Sequence, residues 1–199
     1  MKKDLWKVLL TTLLISAAQA SDGISLGEPG YGGSGCPAGS ASVTLSPDNT
    51  ALSIIFDEYR VEVGGMSGRR IDRKNCNIAI PVHVPQGISV SVIQVDYRVF
   101  NALPYGAMSR FNVEYFFAGG RGPLASKVFQ GPINRDFLIH NELGVQAMVW
   151  SACGADANLR VNSSMMVQTN SRFDEAMSTV DSADISAAII YHLQWKRCY

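Results

Sequence analysis

The sequence predicts an all-β fold: a single-domain antiparallel β-sandwich stapled by two disulfides. Three observations carry this. Apolar and polar residues alternate with period two along most of the chain. Turns containing Gly, Pro, Asn or Asp break that alternation at short intervals. Four cysteines follow a stretch with the pattern of an export leader. Period two puts one set of side chains on a buried face and the other outward. Many short strands with two faces to cover favour two packed sheets, with a closed barrel as the alternative.

The leader comes first. Lys2, Lys3 and Lys7 give a positive start, Val8 to Ala18 is apolar, and Ala18-Gln19-Ala20 is a small-x-small cleavage site. Residues 1–20 are therefore expected to be a secretory signal peptide, residues 21–35 a flexible glycine-rich lead-in and residues 36–199 the sandwich. The apolar run is shorter than the roughly 20 residues a membrane span requires. No second long apolar run follows, so no stable membrane insertion is expected after cleavage. The expected location is secreted, either extracellular or periplasmic.

Cys36, Cys76, Cys153 and Cys198 all lie beyond the leader, at separations of 40, 77 and 45 residues. No C-x-x-C is present, which speaks against a zinc knuckle or a redox pair. An even count in an exported chain reads as disulfides. Three connectivities are open, and the pairing of chain neighbours, Cys36–Cys76 with Cys153–Cys198, is favoured.

Strands are expected at Ser42–Leu45, Leu52–Phe56, Ile78–Val84, Ile88–Phe100, Phe111–Phe117, Ser126–Phe129, Phe137–Glu142, Gln146–Trp150, Leu159–Gln168 and Ala187–Trp195. Pro81 lacks an N–H, so its strand belongs at an edge or carries a bulge. Between Ile88 and Phe100 the alternation changes phase. Ile88, Val90 and Val92 share one parity, and Ile93, Val95, Tyr97 and Val99 share the other. A bulge near Val92–Ile93 would keep both sets on one core, as would a strand that changes sheets there. Arg172–Ser178 alone reads as locally helical.

Composition excludes several functions. Hydrophobic residues make up 47% and charged residues 17%, an ordinary globular balance rather than a disordered one. Removing the leader takes three Lys and one Asp and leaves 14 basic against 16 acidic residues. With that near-neutral charge and export, nucleic acid is not an expected partner.

Motifs for catalysis are weak. Gly30-Tyr31-Gly32-Gly33-Ser34-Gly35 matches G-x-G-x-x-G, but no strand-to-helix context surrounds it. His83, His140 and His192 form no metal-ligand spacing, and each falls on the outward parity of its strand. No G-x-S-x-G is present, although a site assembled in space needs no sequence adjacency. Asp174, Glu175, Asp181 and Asp184 lack the spacing of a calcium loop. No metal and no cofactor are expected. Asn162-Ser163-Ser164 is a formal glycosylation acceptor, relevant only in a eukaryotic host.

Two local signals stand out. Arg69, Arg70, Arg73 and Lys74 crowd four basic residues into six positions before Cys76, either as a solvated loop or as a binding patch for an anionic glycan or polymer. Trp150 and Trp195 each precede a cysteine by three residues. The indoles either cover the disulfides on the sandwich floor or form an aromatic platform for a sugar ring.

Four cysteine-centred segments gather these features: Gly33-Ser34-Gly35-Cys36-Pro37-Ala38-Gly39-Ser40, Arg73-Lys74-Asn75-Cys76, Trp150-Ser151-Ala152-Cys153-Gly154 and Trp195-Lys196-Arg197-Cys198. Together they resemble a secreted family of uncharacterised proteins from fungi and bacteria, domain of unknown function 4360, over about residues 24–198. Ala152 departs from that family's Trp-x-Pro-Cys-Gly pattern. The resemblance implies export, disulfides and a β-rich fold, and carries over no functional residue.

The leading functional expectation is a non-catalytic binding or surface protein whose partner is an extracellular glycan or protein. The alternatives are an extracellular hydrolase or lyase with a His/carboxylate site assembled in space, and an inhibitor of secreted proteases presenting Arg69–Asn75 as a rigid loop.

Overall fold

The structure is a computed structural model that describes residues 23–142, 149–180 and 189–198. The expected leader lies outside these residues, as do Asp181, Asp184 and most of the expected strand Gln146–Trp150. The described strands are β1 (Ser25–Leu26), β2 (Gly30–Gly32), β3 (Ala41–Leu45), β4 (Ala51–Phe56), β5 (Arg60–Val63), β6 (Ile71–His83), β7 (Ile88–Leu103), β8 (Met108–Phe117), β9 (Leu124–Gln130), β10 (Ile133–Glu142), β11 (Ala157–Gln168), β12 (Ala176–Val180) and β13 (Ile189–Arg197).

They form two antiparallel sheets, the predicted sandwich. The six-stranded sheet runs β1-β6-β11-β8-β9, with β2 also on β6. The seven-stranded sheet runs β3-β4-β13-β7-β12-β5, with β10 on the other side of β7. The disulfides are Cys36–Cys76 and Cys153–Cys198, the neighbour pairing.

Alternation explains the core. Ile78, Ile80 and Val82 of β6, Val161 and Met165 of β11, and Phe111, Val113 and Tyr115 of β8 face inward from one sheet. Leu52, Ile54, Val95, Tyr97, Val99, Ile189 and Tyr191 meet them from the other. Aromatic rings cross the interface edge to face: Tyr97–Phe111 at 5.6 Å and Tyr115–Tyr191 at 5.9 Å between centroids. One buried polar bridge also joins the sheets. Asn101 of β7 accepts hydrogen bonds from Ser109 of β8 (2.6 Å) and from Ser178 of β12.

The phase change in β7 is a bulge. His192 pairs with Gln94 and Leu193 with Val92, so Ile93 is the extra residue. Val90, Val92, Val95, Tyr97 and Val99 are consequently all buried. Pro81 lies on the thinly covered side of β6. There β1 ends opposite Val82 and β2 begins opposite Ala79, leaving a gap where the missing N–H costs no ladder bond.

Three readings need correction or extension. Arg172–Ser178 is not helical: residues 171–175 form a turn and β12 follows, because Ala176, Ser178 and Val180 alternate into the core between β5 and β7. The basic run is not a loop. β6 begins at Ile71, and its inward parity is polar at Asp72 and Lys74, which hid the strand from a hydrophobic pattern. Within the stretch expected as a flexible lead-in, β1 and β2 are paired to β6.

The buried tyrosines set an alkaline limit. Burial pushes Tyr115 up to about 12, and pushes Tyr59, Tyr97 and Tyr191 well above the ordinary value. Unfolded tyrosine ionises near pH ~10, so this stability is complete below that pH and is lost as the pH climbs through the folded values. Phenolate absorbance from these side chains should therefore appear together with loss of the fold. Phenolates that formed in a still-folded protein would contradict the burial.

Candidate functional site

The outer face of the six-stranded sheet is organised in rows across the strands. One row reads Asn75, Ser164, Asn112 and Ser126 across β6, β11, β8 and β9. Three of these side chains are linked, with Ser126 donating to Asn112 (2.6 Å) and Asn112 donating to Ser164 (3.4 Å), while Asn75 accepts from Ser34 (3.0 Å). The next row along is Asn77, Asn162, Glu114 and Leu124. Arg73, Met166 and Arg110 flank the amide rows at one end, and Arg160 beside Phe116 flanks them at the other. Alternation dictates this face, because the outward residues of β8 and β11, and Asn75 and Asn77 of β6, are each one step out of phase with a buried neighbour.

The four basic residues singled out in the sequence do not converge. Arg69 pairs with Asp72 at 2.6 Å. Arg70 lies over the Phe173 ring at 4.5 Å. Lys74 donates to the Glu58 carbonyl at 3.4 Å. Arg73 alone joins the outer face, with Met166 sulfur 4.0 Å away. Since β6 starts at Ile71, most of Arg69–Asn75 is paired strand rather than a free inhibitory loop.

All three histidines point outward, and each contacts a carboxylate. His83 Nδ1 lies 2.7 Å from Asp156, above a hollow of about 250 Å³ also bordered by Gly27, Pro81 and Asn158. His140 Nδ1 and His192 Nε2 lie 2.7 and 2.8 Å from the two oxygens of Asp96, on the outer face of the seven-stranded sheet. Asp96 sits on central β7, with His140 directly across on β10 and His192 diagonal on β13. Partial burial works against ionisation of Asp96. Hydrogen bonds from Gln94, His192 and His140 outweigh it and hold the carboxyl below its ordinary range. The sequence held no signal for this cluster, because its members lie on three strands far apart in the chain.

The tryptophans are not core. Trp195 is 50% exposed, and Trp150 is half-buried with the Lys196 ammonium 4.0 Å from its ring centroid. The reason is position: both lie past the bulge at the sheet's end, beyond the inward-facing Leu193. Among the described residues, no group of three or more His, Cys, Asp or Glu is arranged to hold a metal ion.

The domain of unknown function DUF4360 matches residues 22–198. The chain belongs to the DUF4360 family. An "Uncharacterized secreted protein" of Arthroderma benhamiae is 35% identical over 169 residues, covering 84% of this chain and 69% of that protein. This DUF4360 protein is secreted, in keeping with that relative and with its two disulfides.

One expectation concerns Asp96. Asp96→Ala should lower stability by about 2 kcal/mol at neutral pH, because it strips Gln94, His140 and His192 of a charged acceptor. A carboxyl held below its unfolded value contributes above that value and loses its contribution as the pH falls through the folded one. Denaturant midpoints of the variant and the parent should thus converge in strong acid. A constant difference at every pH would remove the electrostatic account.

Proposed function

We propose that this is a secreted, non-catalytic binding protein that holds an extended ligand along the outer face of its six-stranded sheet. The observation that carries the reading is the Asn75–Ser164–Asn112–Ser126 row, in which Ser126, Asn112 and Ser164 are joined by hydrogen bonds. Amide and hydroxyl groups on a rigid sheet offer donors and acceptors in fixed directions, spaced by about 4.8 Å from strand to strand. A flat ligand with many hydroxyls meets such a surface without needing a cavity. An extracellular glycan fits this description better than a compact small molecule, which calls for a concave apolar site.

The test is binding of the purified, oxidised protein to arrays of extracellular glycans and proteins. A glycan hit should weaken about tenfold in Asn112→Ala, the loss of about one good hydrogen-bonding group. A hit that Asn112→Ala leaves unchanged would place the ligand elsewhere.

The Asp96 cluster favours a second reading, an extracellular hydrolase or lyase. A carboxylate that accepts from His140 Nδ1–H leaves Nε2 as a free base, and one that accepts from His192 Nε2–H leaves Nδ1 free. Under that reading, turnover of a glycan substrate would vanish in His140→Ala or His192→Ala, while binding at the opposite sheet would persist.

A further inference from the structure

We infer that the ligand of the six-stranded face is an acidic polysaccharide, one whose sugar rings carry carboxylates. This inference rests on the binding reading above and names its ligand class. Charge is divided unequally between the two outer faces. On β6, β11, β8 and β9 the outward charged side chains are Arg73, Arg160, Arg110 and Glu114, with His83 at the far end. Three guanidiniums thus face one carboxylate. The other outer face mixes both signs, with Arg60, Arg98 and Lys196 among Glu62, Asp96, Asp136 and Glu142.

The arginines of the six-stranded face are available. Arg110 and Arg160 are exposed and make no ion pair or hydrogen bond among the described residues. Arg73 has only the long Met166 contact. An unpaired guanidinium presents a planar fork that matches a carboxylate.

Their spacing selects the ligand. Arg73 and Arg110 stand two strands apart in one row, about 10 Å. Arg160 is six residues further along the strands, about 20 Å away. The interval holds the amides and hydroxyls of Asn75, Ser164, Asn112, Asn77 and Asn162, with Glu114 the one carboxylate among them. A nucleic acid, with a charge about every 1.7 Å of duplex, is far denser than this. A chain of sugars with acidic groups set among hydroxyls alternates the two chemistries as the face does. Phe116, opposite Arg160, offers an apolar surface for the flat side of a ring. An acidic peptide fits less well, because the central strands have partners on both sides and leave no backbone for strand addition there.

The experiment titrates the oxidised protein with polygalacturonate, alginate and hyaluronan oligosaccharides. Methyl-esterified polygalacturonate, single-stranded DNA and polyglutamate are run beside them. The expected result is saturable binding of at least one uronate oligosaccharide. Methyl-esterification should weaken it about tenfold or more, the loss of a charge-assisted hydrogen bond. Arg110→Gln and Arg160→Gln should each weaken it about tenfold on the same grounds, with Arg60→Gln on the opposite face neutral. DNA or polyglutamate bound as tightly as the uronates would reduce the face to a generic polyanion surface and overturn the inference. If ester and acid bind equally while Asn112→Ala still weakens both, the acidic class is wrong and the binding face stands. If no array glycan responds to Asn112→Ala, the binding face falls as well.

Discussion

Replacing Cys36 and Cys76 together by alanine should lower stability by about 4 kcal/mol, the chain-entropy value for a closed loop of 40 residues. Both cysteines are fully buried, so the missing sulfurs would also leave unfilled volume. Thermal unfolding of the double variant should come about 8–16 °C below the parent, at the sensitivity of a domain of this size. The bond ties the glycine-rich segment that carries β2 to the middle of β6. The pairing of β1 and β2 should therefore weaken first, as faster amide exchange at residues 25–32. The second disulfide behaves differently. Cys153 is exposed and Cys198 half-buried, so a mild thiol reductant should open this bond while the buried one persists. Reduction in the opposite order would contradict the burial pattern.

Tyr191→Ala should cost about 3–5 kcal/mol, the range for removing a large aromatic side chain from a packed interior. Tyr191 is fully buried on β13 and meets Tyr115 of the facing sheet edge to face. Tyr191→Phe separates the ring from its hydroxyl. That hydroxyl has no hydrogen-bond partner among the described residues. Removing it should therefore be neutral or should stabilise by up to about 1 kcal/mol. Denaturant unfolding of the two variants measures both terms. A Phe variant as damaged as the Ala variant would assign the stability to the hydroxyl instead of the ring.

Much of the architecture was written in local alternation. β4, β8, β11 and β13 bury one parity of apolar side chains, which is the pattern a sheet with one wet face imposes. The bulge in β7 was legible because an inserted residue must shift the parity of everything after it. β5 went unread, although Val61 and Val63 alternate with Arg60 and Glu62, because four residues are too few for a pattern to stand out. Arg172–Ser178 reads locally as helix, whereas the strand state of β12 comes from docking between β5 and β7 and not from local preference. The site was far less legible. Arg73 belongs to the basic run that stands out in the sequence, but Arg110 and Arg160 are single charges in ordinary strands. Only the register of β6, β11 and β8 brings all three onto one surface.

β13 is the last of the described strands, yet it lies between β4 and β7. The larger sheet cannot close over its core until residues 189–197 have arrived, however early the preceding strands are made. Before β13 docks, β4 and β7 face one another across unsatisfied backbone and bare apolar surface. That stage is therefore the one most in need of protection from aggregation.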